Sequence, residues 1–187
     1  GTSMVKDIHT GDNSDGSYPF GFITLGSEIY FWANDGTNGI ELWKSDGTSS
    51  GTAIVADIYT GSSSSGQDSC LYGYRECAVV LGSELFFIAW TGSDFNLYKT
   101  SGSGATLLSS GLDSLSMNFN GLVVLGSYVY FVVSDSGTYG IGRSDGTTTE
   151  MVTQYSSDGI IPSSTASDGS KLYFTGYDMT PSHTGDE

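Results

Sequence analysis

The stretch Leu25-Gly26-Ser27-Glu28-Ile29-Tyr30-Phe31 decides the reading of this chain, because its landmarks return. Leu-Gly-Ser recurs at Leu81-Gly82-Ser83 and Leu125-Gly126-Ser127, with a degraded Asp168-Gly169-Ser170 after them, at spacings of 56, 44 and 43 residues. An aromatic pair follows each copy at the same offset: Tyr30-Phe31, Phe86-Phe87, Tyr130-Phe131 and Tyr173-Phe174. A second landmark, a basic residue before a polar turn, falls at Lys44-Ser45-Asp46-Gly47-Thr48, Lys99-Thr100-Ser101-Gly102-Ser103 and Arg143-Ser144-Asp145-Gly146-Thr147. Two landmarks sharing one period of about 44 residues mark an internal repeat. The first spacing is longer by 12, and the Gly/Ser-rich stretch from Gly61 to Gly73 holds the extra residues.

Outward from the first copy, four short apolar segments appear: Phe20 to Leu25, Glu28 to Ala33, Ile40 to Lys44 and Ala53 to Ile58. They are separated by Gly26-Ser27, Asn34-Asp35-Gly36-Thr37 and Asp46-Gly47-Thr48, which is hairpin chemistry because Gly and Asn tolerate positive φ. Each unit therefore predicts a four-stranded antiparallel meander. A sheet of that kind cannot cover both of its faces alone, so the repeat predicts an all-β, propeller-like array of packed blades, with a β-solenoid as the alternative. The expected divisions are an outer strand of a preceding or composite blade at 1–19, blade 1 with its inserted loop at 20–73, blade 2 at 74–117, blade 3 at 118–159 and a partial blade at 160–187. The outer strand is expected because Gly1 to Gly11 matches Gly51 to Gly61, as in Val5-Lys6-Asp7-Ile8 against Val55-Ala56-Asp57-Ile58. With no basic-then-apolar leader and Gly1 rather than Met at its start, the sequence is expected to be a processed or excised piece.

Composition agrees with this. The 187 residues include 27 Gly and 13% aromatics, poor material for long helices and too apolar for a disordered tail. Lys+Arg 6 against Asp+Glu 21 gives a net charge of -15, which repels phosphate backbones and anionic membranes, so neither nucleic acid nor direct membrane insertion is expected.

Glu41-Leu42-Trp43-Lys44-Ser45-Asp46-Gly47-Thr48 with Gly51-Thr52 resembles the ELW-x-x-DGT repeat of large secreted and cell-surface proteins. Weaker echoes put Asn96, Tyr98 and Ser101 where Glu41, Trp43 and Asp46 stand, and Gly140 and Gly142 in place of the Glu and Trp before Asp145-Gly146-Thr147. The resemblance implies a propeller-like array outside a cell, with no catalytic residues to carry over. Physically, Trp43 and Tyr98 are expected to fill space between blades, each ring being worth roughly 1.5 to 3 kcal/mol when buried. Asp46-Gly47 and Asp145-Gly146 are expected to turn the chain, and Lys44, Lys99 and Arg143 to pair with nearby carboxylates.

Cys70 and Cys77 are the only cysteines and lie in the inserted loop, where a disulfide worth about 2.5 kcal/mol is expected. Two thiols with His9 and His183 remote in sequence make a poor metal site. Gly11-Asp12-Asn13-Ser14-Asp15-Gly16-Ser17 has the oxygen-rich look of a calcium loop but lacks the ligand spacing of an EF-hand, and a plain polar loop is the alternative; Asp35, Asp94 and Asp135 share that ambiguity. No other cofactor is expected. No nucleophile elbow, metalloprotease helix or phosphate loop occurs, so no enzyme is expected. Ser62 to Ser65, Ser156-Ser157 and Ser163-Ser164-Thr165 are candidate O-glycan acceptors. The function expected is a non-catalytic extracellular structural or interaction module of a surface appendage, filament or matrix, joined to like subunits or other surface proteins through exposed strand edges. The alternative is a carbohydrate-binding propeller using Tyr59, Tyr72, Tyr74, Trp90 or Tyr139.

Overall fold

The computed structural model describes residues 1–10, 16–66, 77–112, 121–135, 138–155 and 160–178. Among these the chain is all-β and forms four antiparallel sheets. Sheet 1 contains β1 (Phe20–Leu25), β2 (Glu28–Asn34), β3 (Ile40–Ser45) and β4 (Ala53–Ala56). Sheet 2 contains β5 (Ala78–Leu81), β6 (Glu84–Trp90), β7 (Phe95–Thr100) and β8 (Thr106–Leu112). Sheet 3 contains β9 (Val123–Leu125), β10 (Tyr128–Asp135), β11 (Thr138–Ser144) and β12 (Thr149–Tyr155), and sheet 4 pairs β13 (Ile160–Ser167) with β14 (Leu172–Asp178). Every four-stranded sheet is a meander, each strand bonded to its sequence neighbour.

The turns follow from the repeated glycine. Leu25 pairs with Glu28, leaving a two-residue loop in which Gly26 has φ +61°. Gly82 and Gly126 repeat it at +63° and +61°, a backbone that side-chain-bearing residues rarely adopt. The degraded fourth copy builds a different turn, with the Asp168 carboxylate accepting the backbone N–H groups of Ser170 and Lys171 at 2.8 and 2.7 Å.

Alternation along β2 sends Tyr30 and Trp32 to one face and Phe31 and Ala33 to the other, and all four are buried. A strand buried on both faces needs a neighbour on each side. On one side sheet 1 presents Tyr30, Trp32 and Leu42 to Leu85, Phe87 and Ala89 of sheet 2. Sheet 2 in turn presents Phe86, Ile88 and Leu97 to Val129, Phe131 and Val133 of sheet 3. Sheet 3 presents Val132 and Ile141 to Leu172 of sheet 4. What the described residues form is thus four sheets packed in series; closure into a ring is not part of it.

The opening segment differs from expectation. Residues 1–10 form no strand, although 1–19 was expected to supply one. The segment lies instead on the Phe31/Ala33/Trp43 face of sheet 1, where Ile8 enters the cluster, Lys6 Nζ donates to the Thr52 carbonyl at 2.7 Å and the same ammonium sits 5.9 Å from the Trp43 ring centroid. The sequence match to 51–61 nevertheless carries structural meaning, because Val55 and Ile58 cover sheet 2 as Ile8 covers sheet 1. His9 crowds Gly36 as Tyr59 crowds Gly92: an added Cβ would meet those rings at 2.3 and 2.7 Å. The physical reason for the missing strand is that packing onto a face requires apolar side chains in register, whereas a ladder also requires a neighbouring strand edge.

Candidate functional site

The residues singled out by the motif converge on the third strand and the turn after it. Glu41 is 0% exposed, and its carboxylate accepts the backbone N–H groups of Ile58, Tyr59 and Ser65 at 3.2, 3.4 and 3.2 Å, with the Ser65 hydroxyl also donating to it. Burial pushes its pKa from 4.5 up to about 7, against the lowering effect of those four hydrogen bonds. Glu41 is thus a clasp that ties the inserted stretch onto sheet 1, helped by Ser65 and Gly66 N–H groups donating to the Ile40 carbonyl at 3.0 Å. Nothing in the spacing of the motif announced this; the available signal was an acidic residue inside an otherwise apolar strand.

Leu42 lies in the core between sheets 1 and 2, and Trp43 on the opposite face. Trp43 therefore fills space under the opening segment, and Tyr98 fills the corresponding place between sheets 1 and 2, stacked on Phe87 at 5.7 Å. In the turn, Asp46 accepts the Thr48 N–H at 2.8 Å and its hydroxyl at 2.7 Å, and Thr48 Oγ1 accepts the Gly51 N–H at 2.9 Å. An added Cβ at Gly51 would sit 2.0 Å from the Asp46 carboxylate, which explains the glycine there. Thr52 is buried, its hydroxyl donating to the Thr48 carbonyl and lying 2.7 Å from Ser45 Oγ. In sheet 3 Asp145 accepts the N–H groups of Thr147 and Thr148, both at 2.7 Å, and Gly146 turns at φ +87°. The hydroxyl preceding each turn, at Ser45, Thr100 and Ser144, accepts the N–H two residues on at 3.1 Å in all three sheets. In the sequence that hydroxyl shows only as a Ser or Thr directly after each basic residue.

The three cations find partners that change with the sheet. Lys44 pairs with Glu28 at 2.8 Å and Lys99 with the equivalent Glu84 at 2.7 Å. In sheet 3 Tyr128 occupies that position, and Arg143 lies 4.1 Å from its ring centroid while bonding Glu150 through Nε at 2.7 Å. The loss of one carboxylate is offset by an aromatic face and another carboxylate.

Between sheets 1 and 2, on the side of these turns, lies a cavity of about 520 Å³ lined by Ser27, Glu28, Tyr30, Asp46, Ser83 and Ser101. Tyr30 donates to Glu28 at 3.1 Å, and burial followed by that neighbouring carboxylate pushes its phenol up to about 12, so it is a neutral donor.

Other expected sites fare differently. Cys77 is not a free thiol, while Cys70 lies outside the described residues, as do Tyr72 and Tyr74, Asp12, Asn13 and Asp15 of the polar loop, and His183. Tyr59, Trp90 and Tyr139 are only half-buried side chains engaged elsewhere: Tyr59 against Gly92, Trp90 on Phe95 at 4.8 Å, Tyr139 beside Val132 and Ile141. Among the described residues the exposed large aromatics are Tyr18, Phe22, Tyr173 and Phe174, and Tyr173 lies on the face of β14 turned away from sheet 3. Ser65 and Thr165 are buried and so correct the expectation that they accept glycans. Asp35 is consumed by its own loop: burial raises its pKa, but bonds from Asn38 and Thr37 outweigh this and hold it below 3.8. Among the described residues no three His, Cys, Asp or Glu side chains are grouped to hold a metal ion.

The chain matches no known family model, and no curated protein matches its sequence.

Proposed function

We propose that this chain is a non-catalytic extracellular structural and interaction module, a subunit or fragment of a surface appendage, filament or matrix protein, built of propeller-like blades related to the ELW-x-x-DGT repeat. One observation carries this reading: the motif's polar residues are spent on holding the repeat together. Glu41 clasps a loop, Asp46, Thr48, Gly51 and Thr52 close a turn, and Lys44 neutralises Glu28 beside a sheet-to-sheet joint. A blade whose motif carboxylates and hydroxyls bond chiefly within itself serves as a unit of construction. The surface charge of -15 and the Cys70–Cys77 pair favour the extracellular setting. Electron microscopy of the purified chain at rising concentration tests the reading: ordered assemblies are expected, and isolated particles throughout, with no labelling of the cell exterior by an antibody against the chain, would overturn it.

A second reading, binding of carbohydrate, is favoured by the cavity between sheets 1 and 2, where Ser27, Ser83 and Ser101 converge with Glu28 and Asp46. Hydroxyl and carboxylate groups there suit the donors and acceptors of a sugar. A glycan-array screen with no hit would dispose of it.

A further inference from the structure

The joint between successive sheets is one contact used repeatedly. The second strand of each earlier sheet lays its outward residues on the next sheet, and the turn glycine of the later sheet comes down on the earlier one. Gly102 approaches Lys44 and Tyr30, and Gly146 approaches Glu84, Phe86 and Lys99. The receiving residues at one repeat position are Ile29, Leu85, Val129 and Leu172. Leu85 and Val129 are 0% exposed, but Ile29 is 39% exposed. Beside it Phe22 stacks on Phe31 at 5.4 Å and is 60% exposed, and an added Cβ at Gly47, the counterpart of Gly102 and Gly146, would meet nothing within 4 Å. The opening segment, through Ile8, covers the Phe31, Ala33 and Trp43 part of that face and leaves Phe22 and Ile29 open. At the far end of the series Tyr173, the counterpart of Tyr30 and Phe86, is 52% exposed on β14. Among the described residues the first and last sheets therefore display the two halves of the joint unmatched.

Resting on the building-block reading, we propose that a second copy supplies the missing half: chains associate head to tail, with the Tyr173 side of β13–β14 of one copy seated on Phe22, Ile29 and the Asp46-Gly47 turn of the next. Continuity points to that occupant, since each of the three joints already inside the chain seats one sheet of this kind on such a face. Two different surfaces meet, so the contact is heterologous and propagates into a ring or filament rather than stopping at a two-fold dimer. Because each copy carries a charge of -15, screening strengthens the association.

Sedimentation velocity of the 187-residue chain over a concentration series, at about 0.01 M and about 1 M salt, tests this. Species larger than monomer are expected to grow with concentration, more so at high salt. Ile29→Lys and Tyr173→Lys, each checked for an unchanged unfolding midpoint, are expected to weaken association at least about tenfold, with Phe22→Ser as the substitute should Ile29→Lys disturb folding. Mixing Ile29→Lys with Tyr173→Lys is expected to restore a one-to-one dimer, since one variant keeps an intact tail and the other an intact head. Sensitivity to Ile29→Lys but not Tyr173→Lys would mean face-to-face pairing and overturn the proposal, as would a monomer whose own β13–β14 folds back onto Phe22. Assemblies that ignore both substitutions would overturn this joint while leaving the building-block reading intact; a chain monomeric in every condition would remove both.

Discussion

Replacing Glu41 by Gln removes the titrating charge of the clasp and, whatever the pH, the bond from the Ile58 N–H to Oε2. Its carboxylate is 0% exposed with a pKa raised from 4.5 to about 7, and at about 1.4 kcal/mol per pKa unit the difference corresponds to about 3 kcal/mol. Because the folded-state value is the higher one, the folded chain holds a proton that the unfolded chain releases between pH 4.5 and about 7. Stability from this group is therefore full below 4.5 and lost as pH rises through about 7. Gln mimics the protonated acid, accepting from Tyr59 and Ser65 and donating to the Ser65 hydroxyl. Urea unfolding of both proteins from acid to mildly alkaline pH isolates the effect, since all other titrating groups cancel in the difference. The native chain is expected to fall by about 3 kcal/mol relative to Glu41→Gln across that range. A gap that stays constant with pH would refute the assignment of a buried, charge-averse clasp.

Further outcomes follow from the packing. Gly39→Ala, at φ +69° with a Cβ 2.1 Å from the Ser63 carbonyl oxygen, should cost more than about 3 kcal/mol in denaturant unfolding, whereas Gly26→Ala, at φ +61° in open space, should cost about 1 to 2. Leu97→Ala in the joint of sheets 2 and 3 should cost about 2 to 5 kcal/mol, while Lys99→Met, which removes the half-exposed pair with Glu84, should cost under about 1; a reversed order would contradict the apolar origin of the joint. The Asp46, Asp145 and Asp168 carboxylates are held below 3.8 by their turn bonds, chiefly Thr48 for the first, Thr148 for the second and Tyr173 for the third. Those turns should hold above that pH and loosen as pH falls through the lowered values; an NMR titration of the Thr48, Thr148 and Ser170 amides with midpoints at or above 3.8 would contradict this.

Much of the architecture was legible in the residues. Phe20 to Leu25 was readable to the residue, and the meander of each unit followed from Gly26, Gly82 and Gly126, because a two-residue turn at positive φ is a local property of the chain. The cations were also readable as carboxylate partners, since Lys44 and Glu28 sit on neighbouring strands of one hairpin. Glu41 was not, because its partners at Ile58, Tyr59 and Ser65 lie well along the chain and belong to a stretch whose course no periodicity describes. The contacts of the candidate sugar platforms were not legible either: Trp90 and Tyr139 are half-buried against neighbours that only three-dimensional packing brings near.

Local chemistry, then, sufficed to specify strands, hairpins and an all-β repeat, because period, turn glycines and side-chain alternation act over a few residues. Which faces meet, that the opening segment lies across sheet 1 as an extended cover, and that Ile29 and Tyr173 stay open were decided by tertiary structure. The physical reason is that burial depends on what arrives from elsewhere in the chain. Identical repeat positions such as Ile29 and Leu85 have opposite fates when only one of them has a sheet to receive.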